Sequence, residues 1–270
     1  MGLPSFDPSV LSTRHNVWRG DELGEAGSHV LATGHAALDA ELPGGGWPVG
    51  SLIEVLQARP ELQVWQLLLP VLVQAVKARA GPLVLIGAPH EPFGPALAAR
   101  GLPAESLMWV RSEAAAARLW ACEQALRCAD VAGVLAWLPQ ARVGELRRLQ
   151  LAAAQHEGLL FVFRPEVAAV SASPARLRLQ VLASASDGAV MEVHLLKRRG
   201  PPLTTALTLP ARSERIAALL AAGQMRRKRR LQQDAPSMPE ASGFLPTVVR
   251  IDLRAKQEDL HAVDRAALAA

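Results

Sequence analysis

The chain has 270 residues, half of them hydrophobic, no tyrosine, and a formal net charge of +4. That length suits one sizeable core with an appendage, and the apolar content excludes an intrinsically disordered chain. Residues 1–210 hold 18 basic and 18 acidic side chains, so the whole positive excess lies in the last 60 residues, where 11 basic groups face 7 acidic ones.

Residues 1–30 are polar around the step Trp18-Arg19-Gly20 and read as a docking segment with a short helix, followed by a linker. The opening MGLPSFDPSV has neither the basic start nor the apolar core of a signal peptide, and no apolar run approaches the roughly 20 residues that span a bilayer. A cytoplasmic protein with no membrane contact is expected. Thr33 is placed to cap a short helix through Ala36, Leu38 and Leu42, which Pro43 and three glycines end. An apolar strand, Ser51 to Leu56, follows, and then a buried helix from Val64 to Ala78 with Pro70 in its early turns.

From Pro82 the pattern becomes rhythmic. Continuous apolar runs at 82–87, 131–138 and 159–163, with a shorter one at 107–110, read as strands covered on both faces. Helical stretches at 96–100, 112–129 and 143–155 separate them, which is the order of a doubly wound, mostly parallel α/β sheet. The alternation then changes: 176–183 and 190–196 flank Asp187-Gly188 as an antiparallel hairpin at the sheet's edge, and 200–210 adds a last strand. A helix from Ser213 runs into Met225-Arg-Arg-Lys-Arg-Arg230, and the remainder is linker-like before a weak strand and a polar helix after Phe244. The expected division is 1–30, a core at 31–210 and a basic helical extension at 211–270. Cys122 and Cys128, six apart on one helix, project differently, complete no zinc site and read as buried reduced thiols.

The order of elements meets a known family at specific residues. Thr33-Gly34 with Leu38-Asp39, glycines 44–46, Pro48, Gly50 and Ile53-Glu54 resemble the start of the RecA recombinase core. LVLIGAPHEPFGPALAARGLPAESLMWV is similar to that family's second core strand, the next helix and the next strand, with Ala88, His90 and Pro95 in register. VAGVLAWLP stands at the strand that should end in an acid, and MEVHLLKRRGPP resembles a late hairpin bearing basic residues. The resemblance covers residues 31 to about 210. Within it, the Trp18-Arg19-Gly20 step, LPGGGWPVGSLIEVL and the basic tail are most similar to the ImuA family, RecA-like accessory proteins of bacterial mutagenesis cassettes.

That resemblance implies an adaptor in SOS-induced, error-prone translesion synthesis. Its implied partners are RecA, the Y-family polymerase-like ImuB, indirectly an error-prone C-family polymerase, and DNA. The residues themselves speak against ATP chemistry. A phosphate loop needs glycine-permitted N–H groups, a lysine and a magnesium-binding hydroxyl, whereas Gln57 to Leu62 has no glycine, contains Pro60 and leads to no Lys-Ser or Lys-Thr pair. The strand that should end in a metal-binding acid ends in Ala136-Trp137-Leu138, and the water-orienting position holds Pro89, with Glu91 two residues later as the available substitute. Arg59 reads as solvent-facing and His90 as structural. No cofactor and no catalytic residue are expected.

Charge supplies the remaining candidates. Arg226, Arg227, Lys228, Arg229 and Arg230 surround one helix, and Lys197, Arg198 and Arg199 follow the hairpin, a pattern suited to phosphate attraction without base reading. Trp18 and Arg19 are the partner-binding candidates. The stretch from Arg164 to Pro174 stands at the recombinase DNA-contacting loop but is short and mostly apolar, so strand exchange is not expected. Two alternatives stay open: a cell-division inhibitor of the SulA type, which also resembles a RecA core without a phosphate loop and binds a tubulin-like protein, and an ATPase using unconventional residues.

Overall fold

The computed structural model describes residues 29–59, 64–184, 189–212 and 214–233. The docking-segment helix with Trp18 and Arg19, the Asp187-Gly188 turn, and the strand and helix expected after Phe244 lie outside them. The chain divides into two units after Leu219.

In the first unit the strands are β1 (Val30–Leu31), β2 (Trp47–Pro48), β3 (Ser51–Gln57), β4 (Leu83–Ile86), β5 (Leu107–Val110), β6 (Gly133–Trp137), β7 (Leu159–Pro165), β8 (Leu177–Ala183), β9 (Val190–Lys197) and β10 (Leu207–Pro210). The helices are α1 (Ala36–Glu41), α2 (Val64–Arg79), α3 (Gly94–Ala98), α4 (Ala115–Arg127) and α5 (Val143–Gln155). α6 (Glu214–Gln233) crosses the division between the units.

Eight strands form one sheet in the order β10-β9-β8-β3-β7-β6-β4-β5. Every pairing from β8 to β5 is parallel, and β9 and β10 extend the sheet antiparallel. The expected α/β class is therefore observed, and the hairpin's first strand itself pairs parallel with β3, Glu54 opposite Arg178. β3 is buried along its whole length because it has a strand on each side and cover on each face. Ile53, Val55, Phe161 and Phe163 share a core with Leu38 and the α2 leucines, while Leu52, Val134 and Val162 pack with Leu119, Leu146 and Leu149 from α4 and α5.

Two local features explain the residues before β3. Pro70 lies inside α2 and cannot donate to the carbonyl four residues back. That carbonyl, on Gln66, is met instead by the His35 ring at 3.3 Å. Gly34 sits against the same proline at φ +79°, where an added Cβ would lie 2.3 Å from the Pro70 Cβ. Thr33 does not cap α1 in the expected way: its Oγ1 accepts from the His35 N–H at 3.0 Å, and its own N–H donates to Asp39 Oδ1 at 2.8 Å. The result braces the turn before the helix rather than the first helical N–H groups.

Trp47 is fully buried and meets Phe161 edge to face at 5.3 Å, so the most specific part of the glycine-rich signature is a packing feature. β1 and β2 form a small antiparallel pair beside it that the sequence pattern did not announce. Cys122 is buried, as expected, but Cys128 is exposed because α4 has ended one residue earlier and it occupies the C-cap.

Candidate functional site

In an open parallel sheet, ligands gather at the carboxyl ends of the strands where the connections switch face. Here that place is a hollow of about 270 Å³ at the ends of β3, β4, β6 and β7. Ala58, Pro89, Trp137, Pro139, Phe163 and Pro165 give it apolar walls, and among the described residues no lysine or carboxylate lines it. Trp137 is the residue for which the sequence resemblance implied the place of a metal-binding acid. It is buried and stacks on Phe163 at a centroid distance of 4.3 Å and an interplanar angle of 22°. Glu91 is exposed and lines a neighbouring hollow with Arg111 and Arg118. Arg59 is exposed at the end of the described part of its loop.

Two arginines border the apolar hollow, and both are engaged by the protein. Arg118 donates through Nε to the Ser112 carbonyl at 2.6 Å and lies over Gly87, where an added Cβ would come within 2.7 Å of it. Arg164 donates from Nη1 to Glu54 Oε1 at 2.6 Å and from Nη2 to the Ala141 carbonyl at 3.1 Å.

Glu54 is the centre of a buried network. It is fully inaccessible in the middle of β3, and its second oxygen accepts from Nε of Arg178. Arg178 also donates to the carbonyls of Ala168 at 2.8 Å, Ser171 at 3.1 Å and Ala169 at 3.2 Å. One carboxylate thus joins β3, β7 and β8, and through Arg178 it fixes the 3-10 turn Glu166–Val170. Each of its oxygens accepts from an arginine and no solvent reaches it, so the group holds the fold and lies out of reach of a substrate. In the sequence Glu54 stands out only as part of the Ile53-Glu54 strand motif. The signal that could have exposed it was a lone acid inside an otherwise apolar strand, which must find cations.

The predicted cations are distributed unevenly. Arg226, Arg227, Lys228, Arg229 and Arg230 occupy consecutive positions of α6 and are all exposed. At the opposite end of the sheet from the apolar hollow, Lys197 donates to the Ser173 carbonyl at 3.0 Å. Arg198 is pinned: it bonds both the carbonyl and the carboxylate of Glu41, the latter at 2.9 Å, and the Pro201 carbonyl at 3.0 Å. Arg199 is exposed and lines a second cleft of about 360 Å³ together with Arg176, which the sequence reading did not select. Among the described residues no group of three metal-ligating side chains occurs, and no helix is long and apolar enough to cross a membrane.

No protein-family model matches the chain. A stretch of 126 residues is 29% identical to the cell division inhibitor SulA of Edwardsiella piscicida, spanning 47% of this chain and 75% of that protein. The chain is thus a distant, partial relative of that inhibitor.

Proposed function

We propose that this protein is a non-catalytic adaptor of the DNA-damage response, built on a RecA-like sheet, that brings RecA and a Y-family polymerase-like ImuB partner together at DNA during error-prone translesion synthesis. The observation that supports this most is the apolar closure of the carboxyl-end hollow, with the Trp137-Phe163 stack where the sequence resemblance implied a metal-binding acid. Phosphoryl transfer needs positioned cations to stabilise the spread charge of its transition state. Among the described residues a hollow walled by proline and aromatic rings offers only Arg118 and Arg164, and each already donates to a carbonyl or carboxylate of the protein. Function then rests on the exterior, where the five cations of α6 supply phosphate attraction and residues 1–30 with Trp18 and Arg19 supply docking.

The similarity to SulA favours a second reading, inhibition of cell division by contact with a tubulin-like protein. Co-purification separates the two. The adaptor reading expects full-length protein to retain RecA and the polymerase-like partner, and to lose at least one of them in the double variant Trp18→Ala, Arg19→Ala. Retention of the division protein alone would move the assignment to the inhibitor.

A further inference from the structure

The cleft at the amino ends of β3 and β8 has the opposite character to the apolar hollow. Arg176 precedes β8, and Lys197, Arg198 and Arg199 close β9, so the topology gathers four cations there. Arg198 has only 12% of its side chain exposed, and by binding Glu41 it neutralises the nearby carboxylate while forming a wall. Arg176 and Arg199 are exposed, and neither guanidinium has a hydrogen-bond or ion-pair partner among the described residues. Among the described residues, uncompensated positive charge therefore faces the cleft.

The rest of the lining is apolar and low. Val30, Leu42, Pro43, Pro48 and Leu177 form it, with Gly44 and Gly46 along one side. Gly44 has φ +77°, and an added Cβ at Gly46 would meet the Leu31 carbonyl oxygen at 2.3 Å, so this turn stays bare of side chains. A flexible anionic chain can therefore lie close to the protein backbone there.

We infer that this cleft binds the phosphodiester backbone of single-stranded nucleic acid. The inference deepens the proposed DNA contact and rests on that reading, but it places the contact on the sheet as well as on α6. Nucleic acid fits better than an acidic peptide because a captured peptide brings amide groups that need pairing, and the two prolines in the lining have no N–H to offer. A phosphodiester needs only charge, which the arginine forks meet in bidentate fashion, and its bases can lie on flat guanidinium and proline surfaces without sequence reading.

Fluorescence anisotropy of a labelled twenty-nucleotide oligo-dT, titrated with the full-length chain between 50 and 200 mM salt, tests the inference. The double reversal Arg176→Glu, Arg199→Glu should weaken binding at least about tenfold at the lowest salt and flatten the log-log salt slope by about 1.4, two contacts at about 0.7 each. Arg176→Lys with Arg199→Lys should bind within about threefold of the parent. Because both side chains are exposed and unpaired among the described residues, circular dichroism and the thermal midpoint should not move. Replacing Arg226, Arg227, Lys228, Arg229 and Arg230 by alanine should leave residual binding that the double reversal then removes. If the double reversal binds like the parent while the alanine tail variant loses all binding, the cleft is overturned and the α6 contact stands. If the parent itself does not bind, both fail. Displacement of the oligonucleotide by polyglutamate at equal charge concentration would overturn the nucleic-acid assignment in favour of an acidic peptide.

Discussion

The two ends of the eight-stranded sheet use arginine in opposite ways. At the carboxyl ends of the strands, Arg118 and Arg164 border a hollow but are turned back on the protein, one to a carbonyl and one to buried Glu54. At the amino ends, Arg198 alone takes that structural part, and it leaves Arg176 and Arg199 facing outward. The lesson is that an arginine beside a cavity says little until its own partners are counted. An arginine with a buried carboxylate is part of the scaffold, and one without is available to a ligand.

The largest expected effect breaks the buried Glu54 network that holds Arg164. Glu54→Ala, which strands two largely buried arginines, or Arg178→Ala, which removes one of the two cations on a buried carboxylate, should cost about 3–5 kcal/mol, lowering the thermal midpoint by about 10 °C. Arg176→Ala, two residues before Arg178 but exposed, should change stability by less than about 0.5 kcal/mol in the same denaturation experiment. Equal effects at 176 and 178 would erase the distinction between an arginine held by a buried carboxylate and one that is not.

Gly34→Ala sharpens the view of how the glycine-rich approach is braced. A methyl group there must displace the Pro70 ring and also accept φ +79°, so a loss of about 1–3 kcal/mol is expected by chemical denaturation. A milder effect concerns pH. Burial, reinforced by neighbouring Glu123, pushes the Cys122 thiol well above its ordinary range. The native state therefore keeps a proton that the unfolded chain releases above a pH of about 8.5, and the contribution to stability is complete below that value and declines as the pH rises. The decline should approach about 1.4 kcal/mol per pH unit and be absent in Cys122→Ala. In the native protein a thiol reagent at pH 8 should modify exposed Cys128 and spare Cys122. Smallest of all, Arg148→Ala removes a pair to Glu123 in which the arginine is 62% exposed, and should cost between about 0 and 1 kcal/mol.

Much of this fold was legible in the sequence because buried parallel strands write themselves as unbroken apolar runs. β5 and α5 begin and end where the pattern placed them. Boundaries moved where an end depends on a partner: β7 continues to Pro165, beyond the expected Phe163, because its last two residues pair with Leu56 and Gln57 of β3. The residue types at the carboxyl ends were also readable, and the structure sets two of them, Pro89 and Trp137, around one hollow. The Glu54 network was not readable, because its two arginines are 110 and 124 positions away. Arg176 was missed for the same reason. Only the return of β9 alongside β8 brings residues 197–199 to its side of the sheet.

The central claim is that the carboxyl-end hollow holds no nucleotide. Titration calorimetry of the full-length protein with a non-hydrolysable ATP analogue and magnesium tests it most directly, with phosphate release from ATP measured in parallel. The account predicts no saturable heat up to millimolar analogue and no release above background. One-to-one binding that weakens in Arg118→Ala, together with hydrolysis that disappears in Glu91→Ala, would contradict it.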